Sequence, residues 1–417
     1  MRAGTKTIDQ GVLMPELSKR LGDYEASLIA ELFAQALDLI EQGKDIVNLT
    51  TGESDFATPD SACNAAIEAI HRGDTKYTNI DGTPSLKDAV RRKFKRDNNI
   101  DYSRLEIIAH SGAKPVIYQG LQAMIDPGDE VVVPTPCFAS YPGMVAMLGG
   151  SPVYVACEES AGFKLSGKQL ASAITPQTKV VILNSPNNPS GATYSRQELR
   201  ALTDVLLDHP QVWILADDIY EHLTFDDAEF ATVVEVEPRL KNRTLTVNGV
   251  SKAYAMTGWR IGYAGGPERL MNAIRKIISQ TISNPSSIAQ AAAVGALDGP
   301  QDSLAERCDI YQQRRDVVVE RINAVPGLSC NKPEGAFYAF VNCADLIGRR
   351  TADGDLIETD LDLAGYFLNH SGVAVVPGSA FLASPYFRIS LASPIDTVVE
   401  GCRRIGQAVS MLEVPLK

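Results

Sequence analysis

Three short polar motifs each follow an apolar run, and together they offer an amide, a carboxylate, a phenol and an amine. Residues 184–191 (NSPNNPSG) follow 179–183 (KVVIL), 217–220 (DDIY) follow 212–216 (VWILA), and 248–252 (NGVSK) follow 244–247 (TLTV). A lysine just beyond a buried strand is costly to desolvate as an ammonium, and such lysines tend to lose their proton. The neutral amine is the form that makes Schiff bases, which marks Lys252. A carboxylate at the neighbouring strand end, Asp217, would suit the protonated ring nitrogen of a pyridoxal cofactor. Tyr220, three residues on, would share its face through a first helical turn. Each member alone has a plainer explanation: a lysine with a packed stem and a wet head, an aspartate capping a helix, a tyrosine in the core. The constellation is what points to chemistry.

These motifs need strands to deliver them to one rim. The runs 130–133 (EVVV), 179–183, 212–216 and 244–247 are rich in β-branched residues and predict buried strands. Amphipathic stretches at 116–125 and 196–207 predict helices between them. Strand–helix alternation of this kind implies an α/β fold with a mainly parallel central sheet flanked by helices on both faces. Ligands then collect at the carboxyl ends of the strands. Near residue 310 the pattern changes. A charged amphipathic helix over 310–324 leads into 336–341, 373–376 and 386–391, a smaller α+β unit. The polar stretch 348–359 reads as a surface loop, and a helix over 27–42 precedes a short strand at 46–49. The expected organisation is an N-terminal segment, 1–50, packing with a small C-terminal domain, 311–417, around a large domain, 51–310.

Composition narrows the classes. A chain of 417 residues with 45% apolar, 7% aromatic and 22% charged residues is ordinary for a globular protein and long enough for two domains. A formal charge of −12 argues against nucleic acid or an anionic membrane as partner, while leaving a buried site free to be locally positive. The seven cysteines are scattered, with no C-x-x-C spacing, so neither a disulfide framework nor a structural zinc is expected. No apolar run approaches a membrane span or a signal-peptide core, which predicts a cytoplasmic enzyme.

The ordered motifs resemble one family, the class I aminotransferases of fold type I, which work with pyridoxal 5'-phosphate; the look is nearest the bacterial aspartate aminotransferases. The resemblance runs through 51–56 (TGESDF) with Thr58-Pro59, 76–78 (KYT), 111–114 (SGAK), 184–191, 217–222 (DDIYEH), 251–262 (SKAYAMTGWRIG), 333–337 (PEGAF), 376–381 (VPGSAF) and 387–390 (FRIS). It implies that Lys252 forms the Schiff base and moves the proton, and that Asp217 pairs with the pyridine nitrogen. Tyr220 and Asn188 would contact the ring 3-oxygen. Arg388 would clamp the substrate α-carboxylate, for which a planar guanidinium fork is suited, and Gly52 would add a backbone contact. The phosphate would lie on the N–H groups of Gly112 and Ala113, after Ser111, at a helix start. Arg260 would supply its counter-charge and Phe138 would stack on the cofactor ring. Tyr77 would reach the phosphate of a neighbouring subunit, implying a homodimer with shared active sites. The implied reaction is ping-pong transfer of an amino group to a 2-oxo acid.

Two departures from the family pattern stand out. Gly249 occupies the place where many members carry a phosphate-binding serine, leaving Ser251 as a candidate substitute. Cys137-Phe138 stands where related aspartate enzymes carry Tyr-Trp, a smaller ring with no N–H donor. Lys114 resembles a lysine that helps bind the distal carboxylate of acidic substrates, so aspartate or glutamate is the expected donor. Aromatic, alanine-like and basic donors stay open, because 24–29 departs from the pattern. A lyase or decarboxylase on the same fold shares the lysine and aspartate, but 255–264 (AMTGWRIGYA) and Arg388 favour the aminotransferase branch. Residues 162–168 (GFKLSGK) imitate a phosphate loop, yet Gln169 stands where Ser or Thr must hold magnesium. Asp217, Asp218, Glu221 and His222 sit too close in sequence to converge on one metal, so no metal is expected.

Overall fold

The apolar runs form the middle of a seven-stranded sheet in a computed structural model that describes residues 17–18 and 28–413. Its strands are β2 (Ile107–His110), β3 (Glu130–Thr135), β4 (Ser151–Ala156), β5 (Thr178–Asn184), β6 (Trp213–Asp217), β7 (Thr244–Gly249) and β8 (Gly262–Gly265), in the spatial order β2-β8-β7-β6-β5-β3-β4. The short β1 (Val47–Asn48) lies elsewhere. Pairings from β4 to β7 are parallel, and β8 runs antiparallel to both β2 and β7. The architecture is therefore the mainly parallel α/β sheet that strand–helix alternation requires.

Five helices are named for what they position: α1 (Leu28–Glu41), α2 (Asp60–Arg72), α3 (Pro84–Asn98), α4 (Ala113–Met124) and α5 (Ser140–Met147). One face of the sheet packs Val131, Val133, Ile182 and Val247 against α4, α5 and the helix Glu268–Thr281. The other packs Val132, Val181 and Ile214 against the helix Arg196–Leu207, which Ser195 and Glu198 start with a reciprocal cap. Helix α4 begins three residues earlier than its apolar period suggests, because Pro115 is tolerated in a first turn. Its approach needs glycine at Gly262 of β8, where a Cβ would strike the Ala113 backbone.

A second, antiparallel sheet orders β12 (Val376–Pro377), β13 (Tyr386–Ser390), β10 (Tyr338–Asn342) and β9 (Ser329–Cys330). The apolar run 373–376 divides between two sheets, since its first half is β11 (Val373–Ala374), which pairs in parallel with β1. The helix read from the sequence as 310–324 spans Asp302–Asn323. Its early turns escape an amphipathic count because Arg307 turns inward, donating to the backbone oxygens of Ala253 and Ala57. Farther along, Arg314 holds Asp55 with both guanidinium nitrogens and a buried Arg315 does the same for Asp226. Of the early chain, 24–27 and most of 1–20 lie outside the described residues. Among the described residues, no helix is long and apolar enough to cross a membrane.

Candidate active site

Strands β5, β6 and β7 are adjacent, and register pairs Asn184 with Asp217 and Asp217 with Val247. Their carboxyl ends therefore open on one cavity of about 360 Å³. Eleven residues singled out from the sequence line it: Gly52, Ala113, Lys114, Phe138, Asn188, Asp217, Tyr220, Ser251, Lys252, Arg260 and Arg388.

Asp217 is the last residue of β6 and is 4% exposed. Tyr141 of α5 donates its hydroxyl to Asp217 Oδ2 at 2.5 Å, while Oδ1 is buried with no partner among the described residues. Burial pushes this carboxyl up to about 6, against the pull of Tyr141, the Ile219 N–H and the Lys252 charge. Asn184 donates to the Asp217 carbonyl at 2.8 Å and accepts from the Asn188 N–H at 3.0 Å, so it fastens two motifs together. The Lys252 Nζ donates to the carbonyl of Gly52 at 2.7 Å.

Arg388, on β13 of the second sheet, is 3% exposed. It donates to Asn188 Oδ1 at 2.8 Å and to the Thr50 carbonyl at 2.7 Å, while its Nε has no partner among the described residues. Its guanidinium lies 4.1 Å from the Tyr338 ring centroid and 4.9 Å from that of Phe381. Tyr220 meets a phenol, with its oxygen 3.0 Å from that of Tyr338.

At the other end, one expected anion donor, the Gly112 N–H, is turned elsewhere, and the Ser111 N–H beside it is spent as well. The Gly112 N–H donates to the His110 carbonyl at 2.7 Å, and the Ser111 N–H to His110 Nδ1 at 2.7 Å. A tight turn before α4 consumes both. Gly112 contributes room instead: its φ is +103°, and a Cβ there would strike the Arg260 guanidinium. Arg260 itself is held at φ 58°, a left-handed conformation that costs a non-glycine residue on the order of 1 kcal/mol or more. Lys114 Nζ sits 5.1 Å from the Phe138 ring, and burial, then Arg260 and Lys252, depress its pKa. At Gly249 a Cβ would lie 3.1 Å from both Ile219 Cδ1 and the Ile261 carbonyl, so that position is packed shut while Ser251 faces the cavity.

Tyr77 is not in this cavity; it is 92% exposed, beside a surface hollow lined by Asn284 and Ser286. The sequence reading missed Tyr141, Asn184 and Tyr338. Tyr338 directly follows the 333–337 motif, and Asn184 opens the 184–191 motif. Only Tyr141 lacked a signal beyond its place three residues after Phe138. Of the four acidic and histidine candidates at 217–222, Asp217 and Asp218 part company with the others, Asp218 accepting from Thr232. Glu221 and His222 instead meet Asp97, and the Lys93 ammonium pairs with Glu221. Gln169 serves as a helix-capping partner of Ser166.

A sheet whose strand ends carry a lysine, an aspartate and an asparagine into a cavity closed by an arginine of a second sheet is the layout of a pyridoxal-phosphate transferase. Residues 44–405 match the family model described as aminotransferase class I and II, and the chain belongs to that family. It is an aminotransferase, and its cofactor is pyridoxal 5'-phosphate. It is 51% identical to an aspartate aminotransferase of Rhizobium meliloti (strain 1021) over 395 residues, 95% of this chain and 96% of that one. It is 49% identical to an aspartate/prephenate aminotransferase of Cereibacter sphaeroides, over 94% of this chain and 98% of the other. A crystal structure of the Rhizobium meliloti aspartate aminotransferase superposes with a TM-score of 0.93, covering 96% of this chain and all of that one. The Thermus thermophilus aspartate aminotransferase with maleate superposes at 0.88, with 37% identity over 95% of this chain and all of that one.

Proposed function

We propose that this aminotransferase takes its amino group from aspartate or glutamate, passes it to a 2-oxo acid in ping-pong order, and uses Lys252 to carry the proton. The observation behind this is charge. In a protein of net charge −12, the cavity gathers Lys114, Lys252, Arg260 and Arg388 around Asp217, the one carboxylate among the described residues that line it. A phosphate-bearing cofactor and a substrate with two carboxylates supply the missing anions. The relatives named for aspartate, and for aspartate and prephenate, agree in kind, since prephenate also carries two carboxylates.

The residues present fit the cofactor. Asp217 Oδ1 is a buried acceptor without a partner, suited to a protonated ring nitrogen. The hollow between Gly112 and Arg260, with the Ser111 hydroxyl and the Ala113 N–H at the helix start, suits the phosphate. Phe138 supplies a ring to stack, Tyr220 and Asn188 would hold the 3-oxygen, and Ser251 lies beside Lys252. When bound, pyridoxal phosphate supplies an aldehyde for the amino group and a ring that withdraws electrons from the α-carbon. Lys252 Nζ accepts the α-proton and redelivers it, with the Gly52 carbonyl keeping the amine aimed into the cavity. Arg388, buried and fixed by Asn188 and Thr50, binds the α-carboxylate beside Gly52, and Lys114 takes the distal one.

The active unit is a homodimer in which Tyr77 serves the partner's phosphate. Its 92% exposure, with Ile67 and Ile70 half exposed on α2, supports a surface covered by a second copy. The β1–β11 pair and the two sheets support a large domain of 51–310 and a small one of 311–417 with the N-terminal segment packed on it. Seven free cysteines support a cytoplasmic setting. Mixing the holoenzyme with single amino acids and following the cofactor absorbance ranks the donors. Silence towards both aspartate and glutamate, with a response to aromatic, alanine-like or basic donors, refutes the dicarboxylate assignment. Lys114→Ala should weaken acidic donors roughly tenfold more than others.

A further inference from the structure

The first residue of β10, Tyr338, touches three parts of the site that are far apart in sequence. Strands β10 and β13 pair Tyr338 with Ser390 and Phe340 with Arg388, so Tyr338 and Arg388 lie diagonally on one face. The Tyr338 ring carries the Arg388 guanidinium at 4.1 Å from its centroid, a contact that favours the cation where water is excluded. The hydroxyl end lies 3.0 Å from the Tyr220 oxygen and fills the space beside Gly52, where a Cβ would be 2.5 Å away. Tyr338 is 1% exposed, and the charged groups around the pair are Arg388, Lys252 and Asp217.

We propose that Tyr338 is a positioning residue that holds both ends of the reactant: its ring seats Arg388, and its hydroxyl donates to Tyr220. This rests on the reading that Tyr220 meets the cofactor's ring oxygen. Two facing phenols own one hydrogen each. If the Tyr220 hydrogen goes to the ring oxygen, the hydrogen between the two phenols must come from Tyr338. The chain Tyr338 to Tyr220 to ring oxygen then polarises along its length, making Tyr220 the better donor. With the cofactor bound, Tyr220 would hold its ring oxygen more firmly and leave that oxygen less able to keep a proton on Lys252 Nζ, so the relay would lower the pH at which that proton leaves.

Two substitutions separate the two jobs. Tyr338→Phe keeps the ring and removes the relay. The absorbance titration of the Lys252-bound cofactor should move up by about half a pH unit, roughly threefold in the protonation constant. Binding of succinate, a dicarboxylate with no amine to transfer, should stay within about twofold of the parent. Tyr338→Leu removes both, and succinate binding should weaken roughly tenfold. Tyr220→Phe must raise the midpoint on its own, and Tyr220→Phe with Tyr338→Phe should then raise it no further. An unmoved midpoint in Tyr338→Phe beside a moved one in Tyr220→Phe overturns the relay. Additive shifts overturn it too, since Tyr338 would then act without Tyr220. Parent-like succinate binding by Tyr338→Leu overturns the seat for Arg388. A Tyr220→Phe enzyme with the parent midpoint removes the cofactor contact itself, and the relay falls with it.

Discussion

Replacing Asp217 by Asn should stabilise the cofactor-free enzyme and weaken the loaded one. Asp217 is buried on the last residue of β6 with one oxygen unpartnered, and burial lifts its carboxyl from 3.8 to about 6. At about 1.36 kcal/mol per pH unit, that shift corresponds to roughly 3 kcal/mol of cost for holding the ionised group in the fold. The sign follows from where protons sit. Between pH 4 and 6 the folded apoenzyme keeps a proton that the unfolded chain has released, so stability falls as pH rises and levels off above about 6. Asn has the same shape and never ionises. Apo Asp217→Asn should therefore be more stable than the parent by about 1–3 kcal/mol at pH 8, the lower end allowing for a weaker bond from Tyr141. The advantage should shrink towards pH 4. Loaded with cofactor the order reverses, because only the carboxylate offers charge to a protonated ring nitrogen. Urea unfolding of the apo and loaded forms from pH 4.5 to 8 measures both. A pH-independent difference between the apo proteins, or an apo variant less stable at pH 8, would refute the account.

Arg388→Lys should keep a positive charge but lose the fork that Asn188 and Thr50 orient, lowering kcat/KM for carboxylate substrates roughly tenfold to a hundredfold in steady-state assays. Lys252→Ala and Tyr77→Ala dimers, mixed and allowed to exchange, should regain about a quarter of parent activity, because each hybrid has one complete site. No gain on mixing would show that the sites are not shared. Lys93→Met should cost about 3–5 kcal/mol in unfolding experiments by stranding Glu221, and adding Glu221→Gln should recover most of it. Although burial works against ionisation of Glu221, Lys93 and His222 outweigh it and hold its carboxyl well below the usual range. That pair's contribution is thus present at neutral pH and fades on acidification, which the double variant should not show.

What was legible in the sequence was what depends on one strand and the residue after it. Runs of valine, isoleucine and leucine announced β5, β6 and β7, and the polar residues following them landed on one cavity because those strands are neighbours. Strand β8 reads Gly-Tyr-Ala-Gly and carries no such signal; its glycines answer to Ala113 and Tyr102, which are distant in the chain. Tyr338 was invisible as a partner of Arg388 because their meeting depends on the register of β10 on β13. The Gly112 N–H was misassigned because a helix start predicts free donors, whereas the turn after β2 spends that one on its own carbonyl. Likewise, the surroundings of Glu221 and His222 could not be read, because Lys93 and Asp97 reach them from α3, far away in the chain.

Asp217 ends one strand of the seven-stranded sheet and Lys252 follows shortly after another, but Arg388 stands on the four-stranded sheet. On the proposed reading, a substrate held by its α-carboxylate bridges a seam between two layers. Small slips of one layer on the other change the length and bulk of the molecule that can span the gap, while the bond-breaking groups keep their places. New substrate preferences in such an enzyme can arise from residues that never touch the substrate, wherever the two layers bear on each other.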